Sequence, residues 1–344
     1  MSLICDLQLR KYYHIPNDMV DVLEFLSVKS VEQCYEEYGR GNQSIIKSYI
    51  NFILKNDMGF IDERHISEMT PLSLEWDAYS EITNVIIEIS PFIDYNTSFL
   101  TELINLNLVA VEIRAYDEIS YEKLNQVLSL FNHSTALSIK LVLKWATWCI
   151  EKQLIHIMED NLRINMIILH SAPKEETKKV FKDSAAIIYR KTVLNSCLEC
   201  GVIHPAYFST SIDLFTESQS HNTCLNRKLS IDKDGFIKNC PSMQTNFGQI
   251  HHTTLQEVLT NPAFKKNWFI SKNKIKVCQD CEFRHVCTDC RAFTERTHIN
   301  EDGQDLSKPL KCGYDPYSNV WDDWTKNPLK SSAISFYNMG DLIN

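Results

Sequence analysis

Seven of the chain's twelve cysteines fall between Cys224 and Cys312. Ten residues separate Cys224 from Gly235, and four separate Gly235 from Cys240. The run CQDCEFRHVCTDC then carries Cys278, Cys281, Cys287 and Cys290, and Cys312 closes the set. A Cys-x-x-Cys turn aims two sulfurs at one centre while its backbone N–H groups face them, so each pair is half of a tetrahedral thiolate site. Two pairs suit one zinc ion, but a single-zinc ribbon separates its pairs by about 12 to 20 residues so that the chain can go out and return. Here only Glu282 to Val286 lie between Cys281 and Cys287. Iron-sulfur proteins use a tight run of four differently: three thiolates hold one cluster and the fourth reaches a neighbouring one. Seven thiols then divide into four and three, with zinc in one or both sites as the alternative.

At these residues the chain resembles the SPASM domain, the C-terminal twin-cluster extension of radical-SAM peptide-modifying enzymes. That pattern is a Cys, nine to fifteen residues, a Gly, four residues and a Cys, then a Cys run spaced two, five and three, then a last Cys. This chain departs from it once, where Thr288 and Asp289 leave two residues before Cys290. The resemblance implies two [4Fe-4S] clusters, one on Cys278, Cys281, Cys287 and Cys312, the other on Cys224, Cys240 and Cys290. Family members often take a further ligand from inside the first interval, but Leu225 to Asn239 contains no cysteine. The second cluster then has either an open iron or a ligand borrowed from Cys197, Cys200 or His221.

A chain of 344 residues is expected to form two or three domains, each with a core of its own. Its net charge of -9 weighs against a general phosphate-binding surface and so against nucleic acid as a partner. No apolar stretch reaches about 18 residues, and MSLICDLQLR lacks the features of a signal peptide, so no membrane is expected and a cytoplasmic location is. Thiols stay reduced there and free for metal. Cys5, Cys34 and Cys149 stand singly among apolar neighbours and read as small core residues.

These sulfurs need elements to carry them. Residues 1–66 open with the alternation LQLRKYYHI, and a first helix follows over DMVDVLEFL. Ser30 and Gln33 form a capping box for a second helix, SVEQCYEEY, and a third runs from about Gln43 to Asn56 before an extended FID. A strand, three helices and a closing strand make a winged helix. The third helix offers only Lys47 and Lys55, with Glu36 and Glu37 nearby, too few cations for a DNA footprint, so a zinc-stabilised DNA-binding regulator is the weakest reading. Order and size resemble the RiPP recognition element, which takes a precursor's leader peptide as an added strand.

Over residues 67–195, the runs TNVIIEI, LVAVEI, LSIKLVL, LRINMIIL and AAIIY alternate with polar stretches of helical length: SFLTELINL, YEKLNQVLSLF, Cys149 to Met158, and KEETKKVFK. Ile- and Val-rich strands buried on both faces belong to a parallel sheet, and about five units give an open, partial (β/α) barrel. Radical-SAM enzymes have such a barrel, with a Cys-x3-Cys-x2-Cys loop after the first strand. The corresponding loop here, Ile89 to Phe99, has no cysteine, and VEIRAYDE stands where the family has Gly-Gly-Glu. The barrel is degenerate, and S-adenosylmethionine is expected neither as cofactor nor as radical source.

The whole chain is thus α/β, with SPASM residues 196–325 and a C-terminal tail, 326–344, expected to be loosely held. It resembles the SPASM-domain peptide maturases of grasp-with-spasm systems. That resemblance implies an accessory protein of graspetide-type RiPP biosynthesis whose partners are a precursor leader peptide and an ATP-grasp ligase. The alternative is a redox enzyme acting on the peptide through an open auxiliary cluster. No residue receives a catalytic role from the sequence, and monomer and homodimer are equally compatible with it.

Overall fold

The computed structural model describes residues 1–63 and 70–342. The N-terminal alternation belongs to an antiparallel hairpin, β1 (Ser2–Asp6) and β2 (Lys11–Ile15), paired with Cys5 opposite Tyr12. Leu7 to Arg10, read as the start of a strand, is its turn: the Asp6 carboxylate accepts the Gln8 and Leu9 N–H groups, and Arg10 takes a left-handed φ of 56°. Helices α1 (Asn17–Leu26), α2 (Val31–Tyr38) and α3 (Gln43–Lys55) follow. The capping box forms at α2, where the Ser30 hydroxyl accepts the Gln33 N–H and the Gln33 side chain accepts the Ser30 N–H. Val22, Cys34 and Ile46 meet in a small core, with Cys34 fully buried. No strand closes this unit between α3 and residue 84 among the described residues, and the expected boundary at 66/67 lies outside them.

The five Ile/Val-rich runs become parallel neighbours β3 (Asn84–Glu88), β4 (Ala110–Ala115), β5 (Ser138–Lys144), β6 (Ile164–His170) and, further along the chain, Ala185–Tyr189. Helices α4 (Ser98–Ile104), α5 (Tyr121–Ser129) and α6 (Glu151–Asp160) connect the first four strands. Thr97 and Ser120 start α4 and α5 by accepting the N–H groups of Leu100 and Lys123. The helices bury Phe99, Leu103, Leu124, Val127, Leu154 and Ile157 against Ile87, Ile113, Leu141 and Ile167. Each such side chain contributes about 1.5–3 kcal/mol on leaving water. Cys149 lies in this core.

The helix expected over KEETKKVFK is a strand, β7 (Glu176–Val180), antiparallel to β8 (Ala185–Tyr189). Since β6 and β8 are parallel, the chain must return between them, and an edge strand makes the journey in place of a helix. Phe181, Lys182 and Asp183 turn it with left-handed φ values, and its lysines suit an exposed edge.

After α7 (Ile212–Ser220), the cysteine-rich segment adds two strands that the sequence reading missed. Strand β9 (Lys228–Ile231) pairs parallel with β3, and β10 (Ile237–Lys238) pairs antiparallel with β9. The mixed sheet is ordered β10-β9-β3-β4-β5-β6-β8-β7. Helices α8 (Leu255–Thr260) and α9 (Pro262–Lys265), then Trp268, close over its core. A short hairpin, β11 (Tyr314–Asp315) and β12 (Val320–Trp321), precedes α10 (Ser331–Phe336). The C-terminal segment, expected to hang loosely, is held: Ala333 and Met339 are buried with Cys290, Phe293 and Leu310. Among the described residues no helix is long and apolar enough to cross a membrane.

Candidate metal centre

Cys278, Cys281, Cys287 and Cys312 line one apolar cavity with Ile203, Phe208, Phe283 and Trp321. A single 3-10 turn brings in the first pair, with the Cys281 N–H donating to the Cys278 carbonyl at 3.1 Å. Val277 enters that turn with φ 68°, a rare conformation for a β-branched residue. The Cys287 N–H donates to Phe283 O at 2.9 Å, and the Cys312 N–H to Pro309 O at 3.2 Å. Phe283 is the hub of the surrounding rings, 5.1 Å from Phe208 and 5.0 Å from Tyr314. The N-terminal hairpin caps this wall, with Tyr12 6.0 Å and His14 5.3 Å from Phe283. Cys5 is therefore no isolated core residue: it packs against the cluster of side chains that contains Cys287 and Cys312. Burial pushes the Cys281 and Cys287 thiols up to about 12, and Cys278 higher still. Metal uptake must displace those protons.

The other three sulfurs gather at the edge of the sheet. Cys224 follows α7 in a turn where Asn222 Oδ1 accepts the N–H groups of Cys224 (3.0 Å) and Leu225 (2.8 Å). Cys240 follows β10, and the hairpin between them needs Gly235, whose φ is +81°. Burial, with the Cys224 and Cys200 thiolates adding to it, pushes Cys240 up to about 12; Cys290 is raised by the same causes, with Cys240 contributing. Cys200 stands with this group, since a Cβ on its neighbour Gly201 would lie 2.8 Å from Cys290 Sγ. Cys197 does not: it lies beside Ser242, whose hydroxyl donates to Cys197 O at 3.1 Å, and among the charges of Glu88, Lys238 and Arg114. Nor does His221, whose ring packs between Trp76 and Phe269, 5.5 Å from each.

The shortened interval before Cys290 has a structural use. Asp289 is buried in an ion pair with Arg291 (2.8 Å) and accepts the Asn222 Nδ2–H at 2.5 Å. It ties the cysteine run to the turn that carries Cys224, with Cys287 facing one group and Cys290 the other.

Buried cations surround both groups, and no spacing rule announced them. Lys272 donates to Cys287 O. Lys330 donates to Leu310 O and Cys312 O, each at 2.7 Å, and pairs with Glu295 at 3.0 Å. Lys311 donates to Leu198 O and, at 2.9 Å, to Cys200 O. Lys228 Nζ lies 3.7 Å from Cys224 Sγ; burial works against its charge, but the neighbouring Cys224, Cys240 and Cys200 sulfurs outweigh it and the pKa is raised. Such cations offset the negative charge of a thiolate-ligated centre that water cannot screen. Among the described residues no three His, Cys, Asp or Glu side chains close on a point at single-ion distance. The first four thiols line the walls of one cavity, a set of four soft sulfur donors that suits thiolate-ligated iron or zinc.

The polar face of the sheet turns toward the second group. Glu112 and Arg114 alternate with the buried Val111, Ile113 and Ala115, so they stand on the face away from the helices. Arg114 pairs with Glu112, which Lys140 also meets at 3.2 Å, and, against burial, the pairing with Glu112 together with nearby Cys200 and Tyr116 raises the Arg114 pKa. At the end of β3 the buried Glu88 accepts the Tyr116 hydroxyl at 2.9 Å, and burial raises its pKa. The loop after β3 is tied down by Tyr95, whose hydroxyl donates to Glu88 O and accepts the Ser90 N–H.

Comparison with known families finds the SPASM iron-sulfur cluster-binding domain at residues 223–282. The matched stretch includes Cys224, Gly235, Cys240, Cys278 and Cys281, and stops before Cys287, Cys290 and Cys312. No curated protein and no solved structure matches the chain.

Proposed function

We propose that this protein is an accessory peptide-maturation protein of a graspetide-type pathway, holding two [4Fe-4S] clusters and cooperating with an ATP-grasp ligase on a ribosomal precursor. The reading is carried by one observation: the cysteines following the SPASM pattern lie in two separate groups inside a region walled by aromatic rings and buried lysines. Cys278, Cys281, Cys287 and Cys312 would hold one cluster and Cys224, Cys240 and Cys290 the other. The SPASM match and the five-residue gap between Cys281 and Cys287 favour iron over zinc. When bound, the clusters cross-link segments that have little regular structure and can pass electrons. The chain's own part is to exclude water with Phe283, Phe208 and Trp321 and to neutralise thiolate charge with Lys228, Lys272 and Arg291.

The N-terminal hairpin and three helices form the leader-binding module in this reading. Both outer edges of the two-stranded sheet carry no further strand among the described residues, which suits a peptide added as a strand. The loop from Ile89 to Phe99 offers no thiolate for a radical-generating cluster, so the degenerate barrel serves as scaffold and S-adenosylmethionine has no role.

A second reading, a redox enzyme with an open iron at the second cluster, is favoured by the charged sheet face beside it. The two readings differ in whether that cluster has a free coordination position and whether the precursor changes mass without the ligase.

Anaerobic purification with iron and sulfide analysis tests the common premise. About eight irons per chain and the visible absorption of clusters are expected; a colourless, zinc-loaded or iron-free protein overturns it. Co-elution of the loaded protein with precursor and ligase tests the accessory role, and failure to bind either one sinks it.

A further inference from the structure

We infer that Cys200, from the turn joining the sheet to the cysteine-rich region, is the fourth ligand of the second thiol group and makes it a complete four-cysteine cluster site. This rests on the reading of that group as a cluster site and deepens it, since Cys200 lies outside the residues that match the SPASM family.

The turn is built to deliver one sulfur. Ser196 Oγ accepts the Leu198 N–H at 3.2 Å, and the Cys200 N–H donates to Cys197 O at 3.1 Å. This is the closure that positions the pair Cys278 and Cys281. The next residue, Gly201, has φ +86°, and a Cβ placed on it would stand 2.8 Å from Cys290 Sγ. The backbone therefore rests against a sulfur of the second group, in a conformation and at a distance that glycine alone accepts. Lys311 clamps the turn from the other side through the carbonyls of Leu198 and Cys200, and its own carbonyl accepts the Ile203 N–H at 3.1 Å.

The other candidate donors pack against other neighbours. Cys197 faces Ser242 and Glu88, and His221 is held between two aromatic rings. Cys240 and Cys290 are buried and Cys224 is partly so, whereas Cys200 is exposed. It is the exposed member beside these less exposed sulfurs, and its neighbour Gly201 lies against Cys290 Sγ. A ligand there leaves no iron free for a peptide, so the second cluster acts in electron transfer or as a cross-link, not as a Lewis acid.

The test compares full-length, anaerobically loaded wild type with Cys200→Ala and Cys197→Ser, reading iron per chain and the electron paramagnetic resonance of the reduced protein with and without imidazole. A wild-type spectrum indifferent to imidazole is expected. Cys200→Ala should either lose about half the iron or acquire an imidazole-sensitive signal, and Cys197→Ser should match wild type. Iron content and spectra unchanged in Cys200→Ala overturn the assignment, and so does a wild-type second cluster that already binds imidazole, a measurement that needs no variant. A wild type without iron overturns the proposed function and this assignment together; the other two outcomes overturn this assignment alone.

Discussion

Ile113, Ile139 and Leu141 in the sheet are fully buried among other hydrocarbon side chains, whereas the buried positions from Asn222 to Lys330 include Asp289, Arg291, Lys272 and Lys311. In the first region, ladder hydrogen bonds satisfy the backbone and apolar burial supplies cohesion. In the second, short turns leave carbonyls pointing inward, and lysine ammonium groups meet them. Hydrocarbon can hold itself together. An interior of cations, carbonyls and protonated thiols needs a partner for its charge, and the cysteine-rich region is arranged around that need.

The strongest way to break this contrast is to remove iron. Chelation under reducing conditions should raise amide hydrogen exchange through residues 271–330 while β4, β5 and β6 stay protected. Equal exchange in both regions would mean that the second holds itself without metal.

Single substitutions sharpen it. Asp289→Ala strands Arg291 without its partner and should cost about 3–5 kcal/mol, with a loss of bound iron. Ile113→Ala opens a cavity of similar cost, about 2–5 kcal/mol, with iron retained per folded chain. Urea denaturation and iron analysis on the same samples distinguish them, and iron loss in both variants would make the two regions one cooperative unit.

The smallest effect is at their junction, where burial raises Glu217 on α7 to about 7 although Asn226 donates to it at 2.9 Å. A carboxyl held above its unfolded value of 4.5 gives its full stabilisation below that pH and loses it as pH rises through about 7. Glu217→Gln should therefore be more stable than wild type at pH 8, by on the order of 1–3 kcal/mol, and similar at pH 4. A urea midpoint that does not move with pH in wild type would contradict this.

What could be read from the chain follows the same division. The Ile/Val runs and the Ser30–Gln33 box report local periodicity and capping, and both reappear as strands and a helix start. Cysteine spacing identified the SPASM segment because ligand geometry constrains sequence tightly. KEETKKVFK misled because its helical composition was overruled by the need to return between parallel strands. KLSI, which begins four residues after Cys224, was invisible as β9 because so short a strand has no period of its own. The lysines at 272, 311 and 330 look like surface residues in any one-dimensional reading, since only the folded chain shows which carbonyls surround them.

Strand β9 also orders events in time. Asn84 of β3 waits for Lys228 as its neighbour, so a nascent chain emerges with one flank of its parallel sheet bare until most of its length has been made. The segment that finally covers this flank is the one between Cys224 and Cys240, which puts cofactor delivery and completion of the sheet in the same step of biogenesis. Until that segment docks, the molecule carries a bare sheet edge able to pair with another chain.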